Sequence, residues 1–313
     1  MINLRVVKNR KIWLSISAVM MSISLVFIFL WGFNFGIDFT GGSLLEVKFG
    51  GKNPSVLEVR ETLNDIKLES LIVQPTENNT FILKFKNIDS ESYYSALEAL
   101  NILSLEINSE NGNYEHVSYL ENELFEKLQF DSVGPSIGKE LKSKSFNTMI
   151  IVLILIILYV ALVFRKISKP VSSWNYGISA IIALFHDVLI VLGVFAFLGK
   201  FYGVEINTAF IAAILTLLGY SVNDTIIVFD RIRENLPRSN DNFINTIDKS
   251  IKQVLVRSIN TSFTTLLVLL SILFFGGDTI KDFVLALAIG IFIGTYSSIF
   301  ISSSLLVLFD RRR

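Results

Sequence analysis

Residues 12–33 read IWLSISAVMMSISLVFIFLWGF, an uncharged run behind Arg5, Lys8, Arg10 and Lys11. A helix needs about 20 apolar residues to cross the hydrocarbon of a bilayer, and this run is long enough. It is too long for the apolar part of a cleaved signal, and no small-x-small cleavage site follows it. The expectation is an uncleaved transmembrane helix over 12–33, with residues 1–11 in the cytoplasm.

Five further apolar runs follow, at about 148–164, 175–198, 207–229, 258–276 and 283–309, and residues 310–313 end the chain. The short flanks set the orientation, because Lys and Arg are retained on the cytoplasmic side. Arg165, Lys166 and Lys169 follow the second run; Arg231, Arg233, Arg238, Lys249, Lys252 and Arg257 lie between the fourth and fifth; Arg311, Arg312 and Arg313 close the chain. The alternate loops hold only Lys200 and Lys281. Six crossings with both termini cytoplasmic satisfy this pattern. Composition agrees: 51% of the 313 residues are hydrophobic and 18% charged, too little charge for a soluble domain of this size.

Between the first two runs, residues 34–147 have the composition of a soluble domain, placed outside the cytoplasm by the topology. Strand-like runs at Ser43–Phe49, Leu71–Thr76, Thr80–Phe85 and Phe125–Val133 alternate with helical patterns at Ser55–Ile66 and Ser90–Leu100. Pro54 and Ser55 suit the start of the first helix, Asp89 or Ser90 the start of the second, and Asn78-Asn79 a hairpin turn. The order β-α-β-β-α-β suggests an α+β, ferredoxin-like domain. Residues 101–123 give no clear pattern.

The zero net charge gives no case for nucleic-acid binding. The absence of cysteine excludes disulfides and thiolate chemistry, and two histidines, His116 and His186, argue against a histidine metal cluster. No nucleotide loop or nucleophile triad is present, so bond-making catalysis is not expected. No cofactor is expected.

Ionisable groups at membrane depth are costly and ask for a reason. On the fourth helix Thr208, Ala212, Thr216, Tyr220 and Asp224 recur every fourth residue, with Asn223 beside them. Asp224 lies about five residues inside the end of the run, and Arg257 opens the fifth helix from the same side with Thr261 and Thr264 on its face. An Asp224–Arg257 pair fits two readings: a proton carrier whose anion the guanidinium stabilises, or a static ion pair or snorkelling Arg. Spacing alone does not choose between them. On the third helix Asn175, Ser179, Ala183 and Asp187 share a face, with His186 adjacent near mid-bilayer; a proton relay and a hydrogen-bonded polar pair are both open. Ala286, Gly290, Gly294, Ser298 and Ser302 read as a packing seam on the sixth.

Four segments together resemble the SecF members of the SecD/SecF family, within the RND-like superfamily. They are Gly36-Ile37-Asp38-Phe39-Thr40-Gly41-Gly42 after the first helix, and Val133-Gly134-Pro135-Ser136-Ile137-Gly138 with Glu140-Leu141 before the second. The third is the run from Leu215 through Asn223-Asp224-Thr225 to Asn235, and the fourth is Arg257 with Asn260-Thr261-Ser262 and Thr264-Thr265. Phe185-His186-Asp187-Val188 extends the likeness over nearly the whole chain. The resemblance implies a SecD partner in a heterodimer, association with the SecYEG channel, an unfolded secretory polypeptide as substrate, and the bacterial cytoplasmic membrane as location. It implies proton-motive force as the energy source, with protons as the coupling ion and Asp224 and Arg257 as the proton-coupling residues. Gly36, Asp38, Gly41, Gly42, Gly134 and Pro135 read as turn elements or hinges. Half of a proton-driven small-molecule exporter of the RND type is the alternative, although the outer domain is small for a substrate porter.

Overall fold

The computed structural model describes residues 6–66, 68–76, 78–86, 90–109, 124–163, 173–277 and 280–309. Arg5, Asp89, His116, Arg165, Lys166, Lys169 and Arg311 to Arg313, used in the sequence reading, lie outside the described residues, as does 110–123 from the unassigned stretch. The chain divides into two compact units, Phe35–Lys144 and a second made of Met1–Asn34 with Ser145–Arg313.

The Phe35–Lys144 unit contains the short helix α1a, Ile37–Thr40, and four strands: β1 Gly42–Phe49, β2 Ile72–Pro75, β3 Thr80–Phe85 and β4 Phe125–Val133. All pairings are antiparallel, in the order β2-β3-β1-β4. Alternation along β1 and β3 sends Leu45, Val47, Phe49, Phe81, Leu83 and Phe85 to one buried face. Two helices cover that face: one at Val56–Asn64, through Val59 and Leu63, and one at Ser90–Asn108, through Ala96, Leu100 and Leu103. Asn78 and Asn79 turn the β2–β3 hairpin with φ of 59° and 60°, the left-handed region Asn tolerates. Ser55 caps its helix in a reciprocal box: its hydroxyl accepts from the Glu58 amide at 3.2 Å, and its amide donates to the Glu58 carboxylate at 2.6 Å. The Ser55 amide, then its hydroxyl, hold the Glu58 carboxyl below its ordinary range. The box is therefore complete above the ordinary carboxylate pKa and is lost as pH falls through the lowered one.

For the membrane unit we label the long helices α1 Arg10–Trp31, α2 Pro135–Val163, α3 Ser173–Tyr202, α4 Thr208–Asn235, α5 Phe243–Phe275 and α6 Lys281–Tyr296, the last continuing through a π-helical segment Ser297–Ile301 into α7 Ser302–Leu308. Among the described residues six helices, counting Lys281–Leu308 as one, are long and apolar enough to cross a membrane. With them the chain is a multi-pass membrane protein. α2 starts at Pro135 rather than 148 and α5 at Phe243 rather than 258, because polar turns carry both helices beyond their apolar runs. Pro135 suits a first helical position, where its missing N–H costs nothing. Asn242 caps α5, its side chain accepting from the Asn245 amide at 2.9 Å.

α3, α4 and α6 form the centre of this unit, and α1 docks on α3. Gly193 on α3 lets the backbones approach: a Cβ there would sit 2.3 Å from Ser24 Cβ and 2.5 Å from Ser24 Cα. Phe27 and Trp31 of α1 meet Phe197 and Phe201 of α3, with Phe27–Phe197 at 5.4 Å and Trp31–Phe201 at 5.1 Å. Asn34 ties the exit of α1 to the α3–α4 turn, donating to the Gly203 carbonyl at 3.1 Å while its own carbonyl accepts from the Ile206 amide at 2.7 Å.

Candidate functional site

α4 continues to Asn235, so Asp224 is 235 − 224 = 11 residues from its end, about 16 Å of rise, the last six of them, Asp230 to Asn235, being mostly polar. Its carboxylate is buried, 7% exposed, between α4, α5 and the π-helical segment. Two hydroxyls donate to it: Ser258 of α5 at 2.7 Å, and Ser298.

A second buried carboxylate, Asp187 on α3, is 1% exposed. Ser221 of α4 donates to it at 2.5 Å and Ser297 at 2.8 Å, while His186 Nδ1 lies 2.9 Å from its other oxygen. The other ring nitrogen, Nε2, is buried and without a hydrogen-bond partner among the described residues. The His186 ring stands 6.2 Å from Tyr296, whose hydroxyl donates to the Trp13 carbonyl of α1 at 3.0 Å.

The consecutive residues Ser297 and Ser298 therefore serve two carboxylates on two different helices. The local helix widens to do so: the Ser302 amide donates to the Ser297 carbonyl, five residues back. Serines complete the widened stretch, Ser302 donating to the Ser298 carbonyl at 2.6 Å and Ser303 to the Ile299 carbonyl at 2.5 Å. Small residues bring the helix close enough. A Cβ on Gly294 would lie 3.2 Å from Ser221 Cβ, and one on Gly290 would lie 2.6 Å from a Leu217 methyl. The expected packing seam exists, and it also carries Ser298 to Asp224.

Asp224 is held by two neutral hydroxyls, with no cation bridged to it among the described residues, and Asp187 by two hydroxyls and the His186 ring. Among the described residues no three His, Asp or Glu gather as a metal site.

The expected Asp224–Arg257 pair is not made within this chain. Arg257 is exposed on α5, and the buried position belongs to its neighbour Ser258, one residue and 100° round the helix. Burying a hydroxyl there avoids desolvating a guanidinium within the bundle. Thr216 and Asn223 of α4 are likewise exposed, with Thr216 donating to the Ala212 carbonyl at 2.8 Å. Tyr220 reaches α5, its hydroxyl 3.5 Å from Ser262, which also accepts from Thr295 at 2.6 Å. Asp187, His186, Asp224 and, through Ser262, Tyr220 are thus in the central polar network; Arg257, Thr216 and Asn223 are on its outer surface.

The two glycine motifs meet within the Phe35–Lys144 unit. Gly36 precedes α1a, Asp38 lies in that helix's first turn, and Gly41 follows it with φ of 74°. A Cβ on Gly41 would lie 2.8 Å from Pro135 Cα, and one on Gly42 would lie 2.9 Å from the Phe85 carbonyl oxygen. Gly42 also pairs with Val133, next to Gly134. Gly41→Ala therefore meets both a left-handed φ and a backbone wall. It is expected to destabilise this unit by about 1–3 kcal/mol, measurable as faster limited proteolysis of the full chain. Unchanged cleavage would show that the two motifs do not depend on this contact.

Comparison with known proteins agrees with the motifs. The family described as "Protein export membrane protein SecD/SecF, C-terminal" matches residues 115–312, and the "SecD/SecF GG Motif" family matches 26–51. The chain belongs to the SecD/SecF family. Its SecF relatives include the protein translocase subunit SecF of Thermobaculum terrenum, 41% identical over 92% of this chain and 88% of that one. SecF of Haemophilus influenzae is 37% identical over 94% and 82%. The crystal structure of SecDF from Thermus thermophilus, described as a translocon-associated membrane protein, is 32% identical with a TM-score of 0.77, over 98% of this chain. This chain spans 38% of the length of that SecDF chain. The GG family match covers Gly36, Gly41 and Gly42, and the C-terminal match covers Asp187, Asp224, Arg257 and the serines around them. The protein is a SecF-family translocase subunit.

Sequence reading missed the carboxylates' donors Ser221, Ser258, Ser297 and Ser298. The available signal was the density of serine in the last helix, Ser297-Ser298 and Ser302-Ser303-Ser304, within an otherwise apolar stretch.

Proposed function

We propose that this chain is one half of a SecD–SecF heterodimer in the bacterial cytoplasmic membrane, where it couples inward proton movement to late protein translocation through SecYEG. The observation that carries this reading is the pair of buried carboxylates, Asp224 and Asp187, each held by hydroxyls and joined through consecutive serines of one π-helical segment. Protonation of Asp224 removes its charge and weakens its hold on Ser258 and Ser298, so that α5 and the last helix repack against α4. A potential of ~100 mV supplies ~2.3 kcal/mol per charge, of the order that biases a two-state switch. Repacking is passed to the outer unit, which binds the translocating chain. Its β4-β1-β3-β2 strand order supports a ferredoxin-like fold for that unit.

The exposed side of α4 and α5 supports a partner. Thr216, Asn223, Arg257, Asn260, Thr261 and Thr264 are all uncovered in this chain, and polar groups facing lipid at that depth are costly. A second six-helix half laid on this face gives Arg257 an acidic partner in trans and restores its proton-coupling role there. The basic residues Arg231, Arg233, Arg238, Lys249 and Lys252 gather at one end of the bundle and support its placement in the cytoplasm.

Affinity purification of the tagged full chain from native membranes tests the partnership: a six-helix SecD-type protein and the channel subunits are expected, and Arg257→Leu is expected to reduce SecD recovery several-fold. Recovery of neither from the wild-type chain would overturn the heterodimer.

A further inference from the structure

Three hydrogen bonds fix how the core helices lie beside one another. Asp187 is bonded to Ser297, and Asn175, three turns along α3, donates to the Phe309 carbonyl at 3.3 Å. The two intervals are equal, 187 − 175 = 12 and 309 − 297 = 12, as antiparallel helices in register require. Ser179 therefore lies level with position 305, beside Ser304. The Ser221–Asp187 bond similarly sets Thr225, one turn further along α4, level with Ala183. The contact of Tyr176 with Phe229, centroids 5.2 Å apart, keeps α3 and α4 in that register lower down.

Thr225, Ser179 and Ser304 are each at most 1% exposed. They are the only buried Ser or Thr hydroxyls without a hydrogen-bond partner among the described residues. Their neighbours are not in this position: Ser302, Ser303, Ser250 and Thr246 all donate to carbonyls four residues back. Buried polar atoms are nearly always satisfied, and an orphaned one implicates an ordered water. The register places the orphans along one seam, one at the first turn below Asp187 and two at the second, with the Asn175 amide and the Phe309 carbonyl at the third. A turn of four residues rises about 6 Å. One water, hydrogen-bonded above and below, spans about that distance. Ala183, between Asp187 and Ser179 on α3, has only a methyl group to offer at the first turn.

We propose that a file of ordered waters fills this seam between α3, α4 and α7. It runs from Asp187 to the basic end of the bundle, with Thr225, Ser179 and Ser304 as its rungs, and it is the route by which protons leave the two carboxylates. The proton use rests on the coupling reading above; the water does not. A proton leaving the Asp187 carboxyl adds to the first water as another leaves the last, so each water ends as it began and the carboxylate is regenerated.

Two measurements on the full chain with its partner, in liposomes, separate these claims. In the first, water-to-methyl magnetisation transfer is followed by solid-state NMR with labelled threonine, isoleucine and valine. Transfer to Thr225 is expected to be several-fold faster than to the equally buried Ile214 and Val191; equal rates would overturn the water file. In the second, acidification of the liposome interior is read with a trapped pH-sensitive dye under an imposed proton gradient. Thr225→Val, an isosteric change, and the double variant Ser179→Ala with Ser304→Ala are each expected to slow flux several-fold, and Thr225→Ser to restore it. Flux that needs Asp224 but ignores all three rungs would overturn the route and leave the coupling reading intact. A wet Thr225 with flux indifferent to Asp224→Asn would leave the water file and overturn its use by these carboxylates.

Discussion

Replacing Asp224 by Asn is expected to abolish proton-dependent stimulation of secretion while leaving the chain inserted and folded. The amide has nearly the shape of the carboxyl group, and its oxygen still accepts from Ser258 or Ser298, so the cage keeps one of its two hydrogen bonds. What it loses is the ability to alternate between charged and neutral forms. Secretion into membrane vesicles, with and without an imposed proton gradient, reads the difference. The variant should match vesicles lacking the protein under a gradient. Stimulation equal to wild type would remove Asp224 from the coupling mechanism.

The second large effect is expected at Gly193, away from any titrating group. A leucine there adds four carbons where even a Cβ would stand 2.3 Å from Ser24 Cβ, and backbone atoms of α1 form part of the obstacle. The helices must separate, which breaks the Phe27–Phe197 and Trp31–Phe201 contacts. Most of the apolar window of α1 is uncovered, so its remaining hold within this chain is at its start, where Trp13 meets Tyr296 and Phe300. Overpacking a close helix contact costs about 1–3 kcal/mol, and a branched side chain against backbone belongs at the upper end. Thermal unfolding of the purified chain, followed by tryptophan fluorescence, should show a clear drop in Tm. An unchanged Tm would show that α1 is not held by this seam.

The strands were legible because alternation is a strong signal over short runs. Thr80–Phe85 and Phe125–Val133 fall where the residues predict, and Asn78-Asn79 makes its turn for the reason Asn is favoured there. Helix starts were less legible. Lys139, Glu140 and Lys142 in α2, and Lys249 and Lys252 in α5, are good helix formers that a hydropathy window discards.

The site was legible in its acids and not in their partners. Asp187 and Asp224 announce themselves by the cost of charge in hydrocarbon. Serine does not, because its hydroxyl can bond its own helix, and nothing in the sequence distinguishes Ser303, which does, from Ser298, which also turns to Asp224. Nor does a sequence mark the widened turn that lets Ser297 and Ser298 face different helices. Arg257 failed as a partner within the chain because one residue of helical phase decides between it and Ser258. Its exposed place beside Asn260 and Thr261 acquires meaning only with a second protein half against it.

The central claim is that Asp224 changes protonation inside the membrane, and infrared difference spectroscopy of the reconstituted complex reads that change at the group itself. Between neutral and acid outer pH, a protonated-carboxyl band should rise in wild type and lose its Asp224 component in Asp224→Asn. A spectrum identical in the two proteins would mean that Asp224 holds one charge state throughout, and that its serine cage is structural.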